Sequence, residues 1–363
     1  MTIKGLSAFI KKMFPHARRL VPVQYFHHKR VCIDGHLLSY AYLSTAIGKE
    51  AKKLLHSRKM EIDPKIVTTL MLERWLSTIA LLKEAKLIPI VVFDGSDVPP
   101  EKTATRAKRM KGKENFRKEI ESLRSELQTE DLELNMEARN RLVKLLPRDV
   151  HVTSEHIHTL RHILTLAGVS VLQASGEGEA LCASLVKEGH CYATYTSDSD
   201  MGAYLSPRVI LEVGNASYTP NGAKVQHCTV IYYKSVMKVL KLSEKQFVDL
   251  CIMCGTDYND NVPGRGPGKA YKLLQEFGIL EAIPSDHYDK SVLNYFRVRE
   301  IFSTPTTPIN GDVVGSPEPK PTELSRLLAT SGLLKSGGRL LAMIGSNEPR
   351  VSVSSYYDDA ELL

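Results

Sequence analysis

The chain has 363 residues, 43% hydrophobic and 25% charged, which is the composition of a soluble globular protein with one large core or two ordinary ones. No apolar run is long enough to span a bilayer. The net charge of +7 suits a polyanionic partner without requiring one, and six scattered cysteines fit a reducing compartment.

The opening stretch, MTIKGLSAFIKKMFPHARRL, carries Lys4, Lys11 and Lys12 through a short apolar pattern. It has no h-region and no small-residue cleavage site, so no signal peptide is expected. RVCIDG (30–35) reads as a buried strand ending at Asp34. IDPKIVTTLMLERWLSTIALLKEAKL follows as a long amphipathic helix, with Asp63 as N-cap and Pro64 at N1. IPIVVFDG (88–95) is a second buried strand, ending at Asp94. The next fifty residues are charged, helix-prone and poor in core residues. TSEHIHTLRHILTLAG reads as a helix from Ser154 to a stop at Gly168, VSVLQAS as a strand, and GEGEALCASLVKEG as a helix with Glu177 and Glu179 in its first turn. CYATYTSDSD and RVILEV read as two further strands. LSEKQFVDLCIMCGTDYNDNVPGRGPGKAYKLLQEFG reads as helix, glycine-rich turn, helix, with Cys251 and Cys254 as small buried residues on the first helix. From about residue 303 the chain turns Pro/Ser/Thr/Gly-rich and reads as a linker. A short apolar stretch, ELSRLLATSGLLKSGGRLLAMI, is placed to pack back, and the last residues read as frayed.

Strands alternating with helices imply an α/β fold, a mainly parallel sheet covered by helices, with ligands outside the carboxyl ends of its strands. Asp34, Asp94 and the pair Asp198/Asp200 fall at such ends, and Glu177 and Glu179 at a helix start. Asp257 follows another apolar helix. As the end of that strand, Asp198 and Asp200 are expected to point to the same face. At an effective dielectric of about 20, each close carboxylate pair costs roughly 4 kcal/mol at about 4 Å. The motifs that carry these acids hold no basic residue to neutralise them. Hard divalent cations, Mg²⁺ or Mn²⁺, would do so. Seven carboxylates exceed one Mg²⁺ site and suit two ions about 3.5–4 Å apart, the arrangement that clamps an in-line phosphoryl displacement.

These blocks resemble the structure-specific 5′ nucleases of the flap endonuclease and XPG type. MTIKGL is similar to that family's M-G-I-x-G-L, VCIDGHLLSY to its I-D-A block, VVFDG to its V-F-D-G, GEGEA to its E-x-E and TSDSD to its T-x-D-x-D. CGTDYNDNVPGRGPGKA is similar to its G-x-D-Y plus helix-hairpin-helix. Order and spacing match over residues 1 to about 278. The resemblance implies a PIN-like nuclease core, a helical gateway insert and a helix-hairpin-helix near 255–278. It divides the chain into a nuclease region at 1–100, the insert at 101–150, a second nuclease region at 151–302, and a linker and tail at 303–363.

It further implies a Mg²⁺-dependent endonuclease acting on DNA at 5′ flaps or single-strand/double-strand junctions, with 5′ exonuclease activity, in replication, repair or recombination. Asp34, Asp94, Glu177 and Glu179 would hold one ion, and Asp198, Asp200 and Asp257 the other, with Glu179 between. Lys102 and Arg109, seven residues apart on the first gateway helix, would steer the scissile phosphate. Tyr40 would stack on a base. Gly264 and Gly266, with Lys269, would grip duplex backbone at the hairpin, where a monovalent cation is also implied. A junction resolvase or RNA-cleaving nuclease on the same scaffold is the alternative, and an inactive nucleic-acid-binding scaffold the alternative from another class. The presence of all seven acids argues for an enzyme. The expected partner is flapped or branched DNA, the expected state a monomer without membrane association, and the expected location the nucleus, a host nucleus if viral. No sliding-clamp motif occurs in the tail, so clamp recruitment is not expected. The departures from the family pattern are Thr2 for Gly, Gly35 for Ala, Ser197 for Glu and Arg265 for an apolar residue.

Overall fold

The computed structural model describes residues 3–57, 60–129, 135–218, 224–285, 288–310 and 315–345. Thr2 and the final residues read as frayed lie outside them. In chain order, α1 (Leu6–Met13) leads into β1 (Arg18–Pro22), then β2 (Arg30–Asp34), α2 (Gly35–Lys53), α3 (Pro64–Glu84) and β3 (Ile88–Phe93). The charged insert supplies α4 (Lys102–Thr129) and α5 (Met136–Leu145). There follow α6 (Ser154–Leu166), β4 (Ser170–Ala174), α7 (Gly178–Lys187), β5 (Ala193–Tyr195), α8 (Asp200–Ala203), β6 (Arg208–Tyr218) and β7 (Lys224–Tyr232). The remaining elements are α9 (Tyr233–Leu240), α10 (Glu244–Cys254), α11 (Pro267–Phe277), α12 (Tyr295–Ser303), β8 (Pro308–Asn310), α13 (Pro321–Thr330) and α14 (Leu334–Gly345).

The eight described strands form one sheet in the order β1-β7-β6-β5-β2-β3-β4-β8. Strands β6, β5, β2, β3 and β4 run parallel. β7 and β1 extend one side antiparallel, and β8 closes the other. The parallel strands are apolar runs because both faces are covered. Val31 and Ile33 face a core built with Trp75, Leu76, Ile79 and Leu164, whereas Cys32 faces the opposite layer beneath α7 with Leu181 and Leu185. A third cluster joins α1, α9, α10, α11 and α12 around Phe247, Leu274 and Phe302. A fourth seats the C-terminal half of α4, through Ile120, Leu123 and Leu127, on α2 and α5.

Asp63 caps α3 by accepting the Lys65 N–H at 2.8 Å, with Pro64 at the first helical position, as the sequence predicts. The expected strand at CYATYTSDSD is shorter. β5 ends at Tyr195, Asp198 lies in the following turn, and Asp200 opens α8. Thr196 draws the chain out of the strand, since its Oγ1 accepts the Asp198 N–H at 3.1 Å. β1, β7 and β8 lie outside the sequence-read elements.

The described part of the Pro/Ser/Thr/Gly-rich stretch runs along the sheet edge. Ser170 donates its hydroxyl to Gly315 O at 2.7 Å, and the Lys320 N–H donates to Leu166 O at 2.8 Å. Beyond it, Leu324, Leu328, Leu333 and Leu340 are fully buried in the core on the α3 side. Leu328→Ala would leave a cavity there. We predict that it lowers unfolding free energy by about 2–5 kcal/mol in urea denaturation, the loss of a core residue rather than of a loosely attached tail.

Candidate metal centre and nucleic-acid interface

Because β2, β3, β4 and β5 are parallel, their carboxyl ends open on one edge of the sheet. Asp34 ends β2 and caps α2, accepting the Leu37 N–H on Oδ1 at 2.9 Å. Asp94 follows β3. Its Oδ1 accepts the Gly178 N–H at 2.8 Å, so Asp94 rather than Glu177 caps α7. The Asp94 N–H donates to His36 Nδ1 at 3.0 Å, and the Gln173 side-chain amide donates to Asp94 O. Three glycines make this possible. A Cβ on Gly95 would sit 2.0 Å from Ser175 O, one on Gly176 2.5 Å from Asp97 O, and one on Gly178 2.9 Å from Asp94 Oδ1. The loops after β3 and β4 are thus interlocked by backbone, with Gly95 N–H on Gly176 O at 2.6 Å.

Relieved of capping, Glu177 turns inward, 8% exposed. Across the site, Asp198 Oδ1 accepts the Asp200 N–H at 3.1 Å, and Asp200 Oδ1 accepts the Ile3 N–H at 2.9 Å. Glu179, Asp198 and Asp200 each offer a carboxylate oxygen within 4.8 Å of the others. Asp257, in the loop after α10, is buried beside them. All seven sequence-predicted acids therefore come together at one sheet edge.

The crowding is electrostatically costly. Burial, reinforced by Asp94, Asp198 and Glu177, pushes the Asp34 carboxyl up to about 8. Burial and the neighbouring Asp198 raise both Glu179 and Asp200 well above the usual carboxylate range. Part of the answer comes from α4, where the sequence motifs of the acids offered nothing. Lys102 Nζ lies 2.5 Å from Glu177 Oε2 and 3.4 Å from Asp257 Oδ2. Arg109 Nη2 lies 2.5 Å from Asp257 Oδ1, and Arg106 Nη2 3.9 Å from Glu177 Oε1. Burial alone would lower the Lys102 ammonium, yet Glu177, Glu179 and Asp257 raise it.

The donor set fits hard divalent cations. Every candidate ligand is a carboxylate, with no thiol or imidazole among the seven. Glu177 Oε1 is buried without a hydrogen-bond partner, and its sister oxygen already holds a cationic nitrogen. Such a group is satisfied by a cation.

Residues 1–116 match the XPG N-terminal domain and residues 168–257 the XPG I-region. The chain is 31% identical over 310 residues to flap endonuclease 1 of Ostreococcus tauri, covering 84% of this chain and 74% of that protein. It is 32% identical over 314 residues to flap endonuclease 1 of Cryptosporidium muris, covering 84% of this chain and 63% of that protein. The chain belongs to the flap endonuclease/XPG family of nucleases. The flap endonuclease-1 of Methanococcus jannaschii superposes with a TM-score of 0.59 at 24% identity, over 90% of this chain and 96% of that one. The catalytic core of Rad2 in complex with DNA substrate superposes with a TM-score of 0.62 at 17% identity, over 94% of this chain and 99% of that one. These two likenesses show the fold, a PIN-like 5′ nuclease core.

Within this family fold, Lys102 and Arg109 lie on one face of α4 and both enter the acid cluster, consistent with their seven-residue spacing. Tyr40 is half-buried on α2, with Lys113 Nζ 5.4 Å from its ring centroid, so it borders the insert rather than filling the core. Gly264 and Gly266 are exposed between α10 and α11, away from the acids' hydrogen-bond network. Gly264 needs its left-handed φ of +71°, while Gly266, at φ −77°, has open space where a Cβ would stand. Lys269 Nζ donates to Gly264 O at 3.1 Å. Ser197 is exposed and Arg265 half-buried in the hairpin. Contributors that escaped the sequence reading include His36, two residues past Asp34, Gln173 and Arg106, and the Ile3 backbone, for which no side-chain signal exists.

The departure at Gly35 has a packing cause. A Cβ there would stand 2.6 Å from Phe93 Cε1. We predict that Gly35→Ala costs about 1–3 kcal/mol of stability and that Phe93→Leu in the same chain recovers part of the loss. A double-mutant cycle in urea measures the coupling.

Proposed function

We propose that this chain is a Mg²⁺-dependent, structure-specific nuclease that hydrolyses DNA phosphodiesters at 5′ flaps and single-strand/double-strand junctions, with accompanying 5′ exonuclease activity. The carrying observation is that Glu179, Asp198 and Asp200 bring carboxylate oxygens within 4.8 Å of one another, with Asp34, Asp94, Glu177 and Asp257 around them, under a helix that reaches in with Lys102 and Arg109. Asp34, Asp94, Glu177 and Glu179 would hold one ion, and Asp198, Asp200 and Asp257 a second, with Glu179 between; Mn²⁺ would substitute. When bound, such ions stabilise the attacking and leaving oxygens of an in-line displacement.

The protein's own groups do the rest. Asp94 holds the start of α7, which fixes Glu177 and Glu179 relative to Asp34. The Asp198–Asp200–Ile3 chain of hydrogen bonds sets the opposite wall. A phosphate entering beside Asp257 meets the Lys102 ammonium and Arg109 guanidinium, which favour charge developing on it. The α4–α5 insert suits a free 5′ end, which favours flaps over four-way junctions. Tyr40 would stack on a base near the entrance, and the hairpin at Gly264–Lys269 would hold duplex backbone, with a monovalent cation. Such an enzyme would serve DNA replication or repair, in the nucleus or a host nucleus, as a monomer. No helix among the described residues is long and apolar enough to cross a membrane.

Cleavage of an end-labelled 5′ flap should be abolished by excess EDTA and restored by Mg²⁺. Asp198→Asn should abolish cleavage while leaving flap binding in Ca²⁺ within a few-fold, because phosphate and duplex contacts carry affinity. Full cleavage in EDTA would overturn the metal reading. Nicked, four-way and single-stranded RNA substrates in the same assay separate the flap reading from its relatives.

Lys102→Ala and Arg109→Ala should each slow single-turnover cleavage by about 10²–10³ with little change in flap affinity. A solvated phosphate contact behaves the other way, changing affinity and its salt slope. If affinity falls while the saturated rate stays at the wild-type value, both residues are phosphate handles and not part of the chemistry.

A further inference from the structure

Acids are distributed unevenly along this chain. Residues 1–33 contain no Asp or Glu but seven Lys and Arg, residues 213–243 contain none but four Lys, and residues 261–275 contain none but Arg265, Lys269 and Lys272. The fold brings these three acid-free segments together. β1 pairs with β7, which runs directly into α9. α1 packs on α11, with Phe9 and Tyr271 ring centroids 5.4 Å apart and Gly5 against Pro267. Tyr271 also joins α11 to α9, its hydroxyl donating to Leu240 O at 2.9 Å. Behind these contacts lies one apolar cluster that includes Leu6, Val236, Leu240 and Leu274.

The apolar sides of α1, α9 and α11 are spent on that cluster, so their lysines point outward. Lys234, Lys238 and Lys241 follow i, i+4, i+7 spacing and are all exposed. Lys11 and Lys12 on α1, and Lys269 and Lys272 on α11, are exposed as well. α1 and α9 carry no acid at all, and α11 carries one, Glu276, a turn beyond Lys272. The face is continuous with the hairpin, whose glycines are steric openings. At Gly266 and Gly268 a Cβ would meet nothing within 4 Å. Gly268 lies in the first turn of α11, and no packing inside the protein requires it.

We infer that the combined face of α1, α9 and α11 is a phosphate track that takes the backbone of duplex nucleic acid past the hairpin. It rests on the nuclease reading above and adds to it where the duplex lies. The occupant is a duplex rather than a protein or lipid surface because the positive face begins at glycines that admit a backbone and holds rows of lysines. Duplex DNA presents one negative charge per about 1.7 Å of axis to such rows. Recognition of this kind positions without reading sequence.

The test uses the full chain and plain duplexes, which need no cleavage to be informative. Lys11→Ala/Lys12→Ala and Lys238→Ala/Lys241→Ala are compared with wild type by fluorescence anisotropy in Ca²⁺, on a short and a long duplex, across a salt series. Each lost phosphate contact flattens log K against log salt by about 0.9. Both variants should therefore show slopes smaller by about 1–2 and long-duplex binding weaker by about 10-fold at about 0.1 M salt, with the short duplex less affected. Thermal melts confirm the fold, and the saturated single-turnover rate on a flap should stay at the wild-type value. Wild-type slopes and affinities in both variants would overturn the track. So would loss of binding to anionic phospholipid vesicles with duplex binding intact, which would assign the face to a lipid surface. Failure of the wild-type protein to cut any flap in Mg²⁺ would instead sink the nuclease reading, while the duplex measurements would still decide the track.

Discussion

Mutual repulsion among buried carboxylates is the constraint around which this molecule is arranged. The Asp34, Glu179 and Asp200 carboxyls are all raised, chiefly by burial and then by acidic neighbours. A carboxyl that binds its proton more tightly in the folded than in the unfolded state weakens folding as it ionises. For Asp34 that window runs from the ordinary range near 3.8 up to about 8, so the cost grows across it and most of it is present at neutral pH. The fold offsets it with backbone N–H groups at Leu37, Gly178 and Ile3, each donating to one of the acids, and with three cations from α4. At Gly178 the missing Cβ lets the backbone approach Asp94, while Gly95 and Gly176 let the loops after β3 and β4 interlock.

Such a site was legible in the sequence because its carriers are regular. β2 and β3 are short apolar runs that stop at Asp34 and Asp94, and in a covered parallel sheet such stops fall on one edge. Glu177 and Glu179 announce themselves at a glycine-rich helix start. The Asp198/Asp200 pair was legible as a site but not as geometry. Alternating Thr, Ser and Asp look like a strand with one polar face, yet Thr196 and Asp198 each take a backbone N–H two residues on and convert the segment into a turn. Local side-chain-to-backbone bonds of this kind compete with a ladder and leave no periodic signal.

What the sequence withheld is long-range. Lys102 meets Glu177 from 75 residues away, and Arg109 meets Asp257 from 148. A solvated basic helix and a helix folded over the acids have the same composition. Only the anchoring of its far half, through Ile120, Leu123 and Leu127 on α2 and α5, decides between them. β1 gave no signal for a related reason. Its Leu20 is 67% exposed and its partner strand begins two hundred residues later, so neither periodicity nor proximity marks it. β8 is three residues long and sits among prolines.

The modest net charge of +7 conceals a strong segregation. One sheet edge collects seven carboxylates, while three acid-free segments collect on the flank made by α1, α9 and α11. A polyanion nearing the edge is repelled over a distance set by a Debye length of about 8 Å at physiological salt. It is attracted to the flank over the same distance. α4 lies between these regimes, its Lys108 paired with Asp260 of the hairpin loop at 2.8 Å and its Lys102 within the acids. A single helix therefore carries positive charge from the surface to the carboxylates. For an approaching phosphate, that helix is a positively charged route between the surface and the carboxylates.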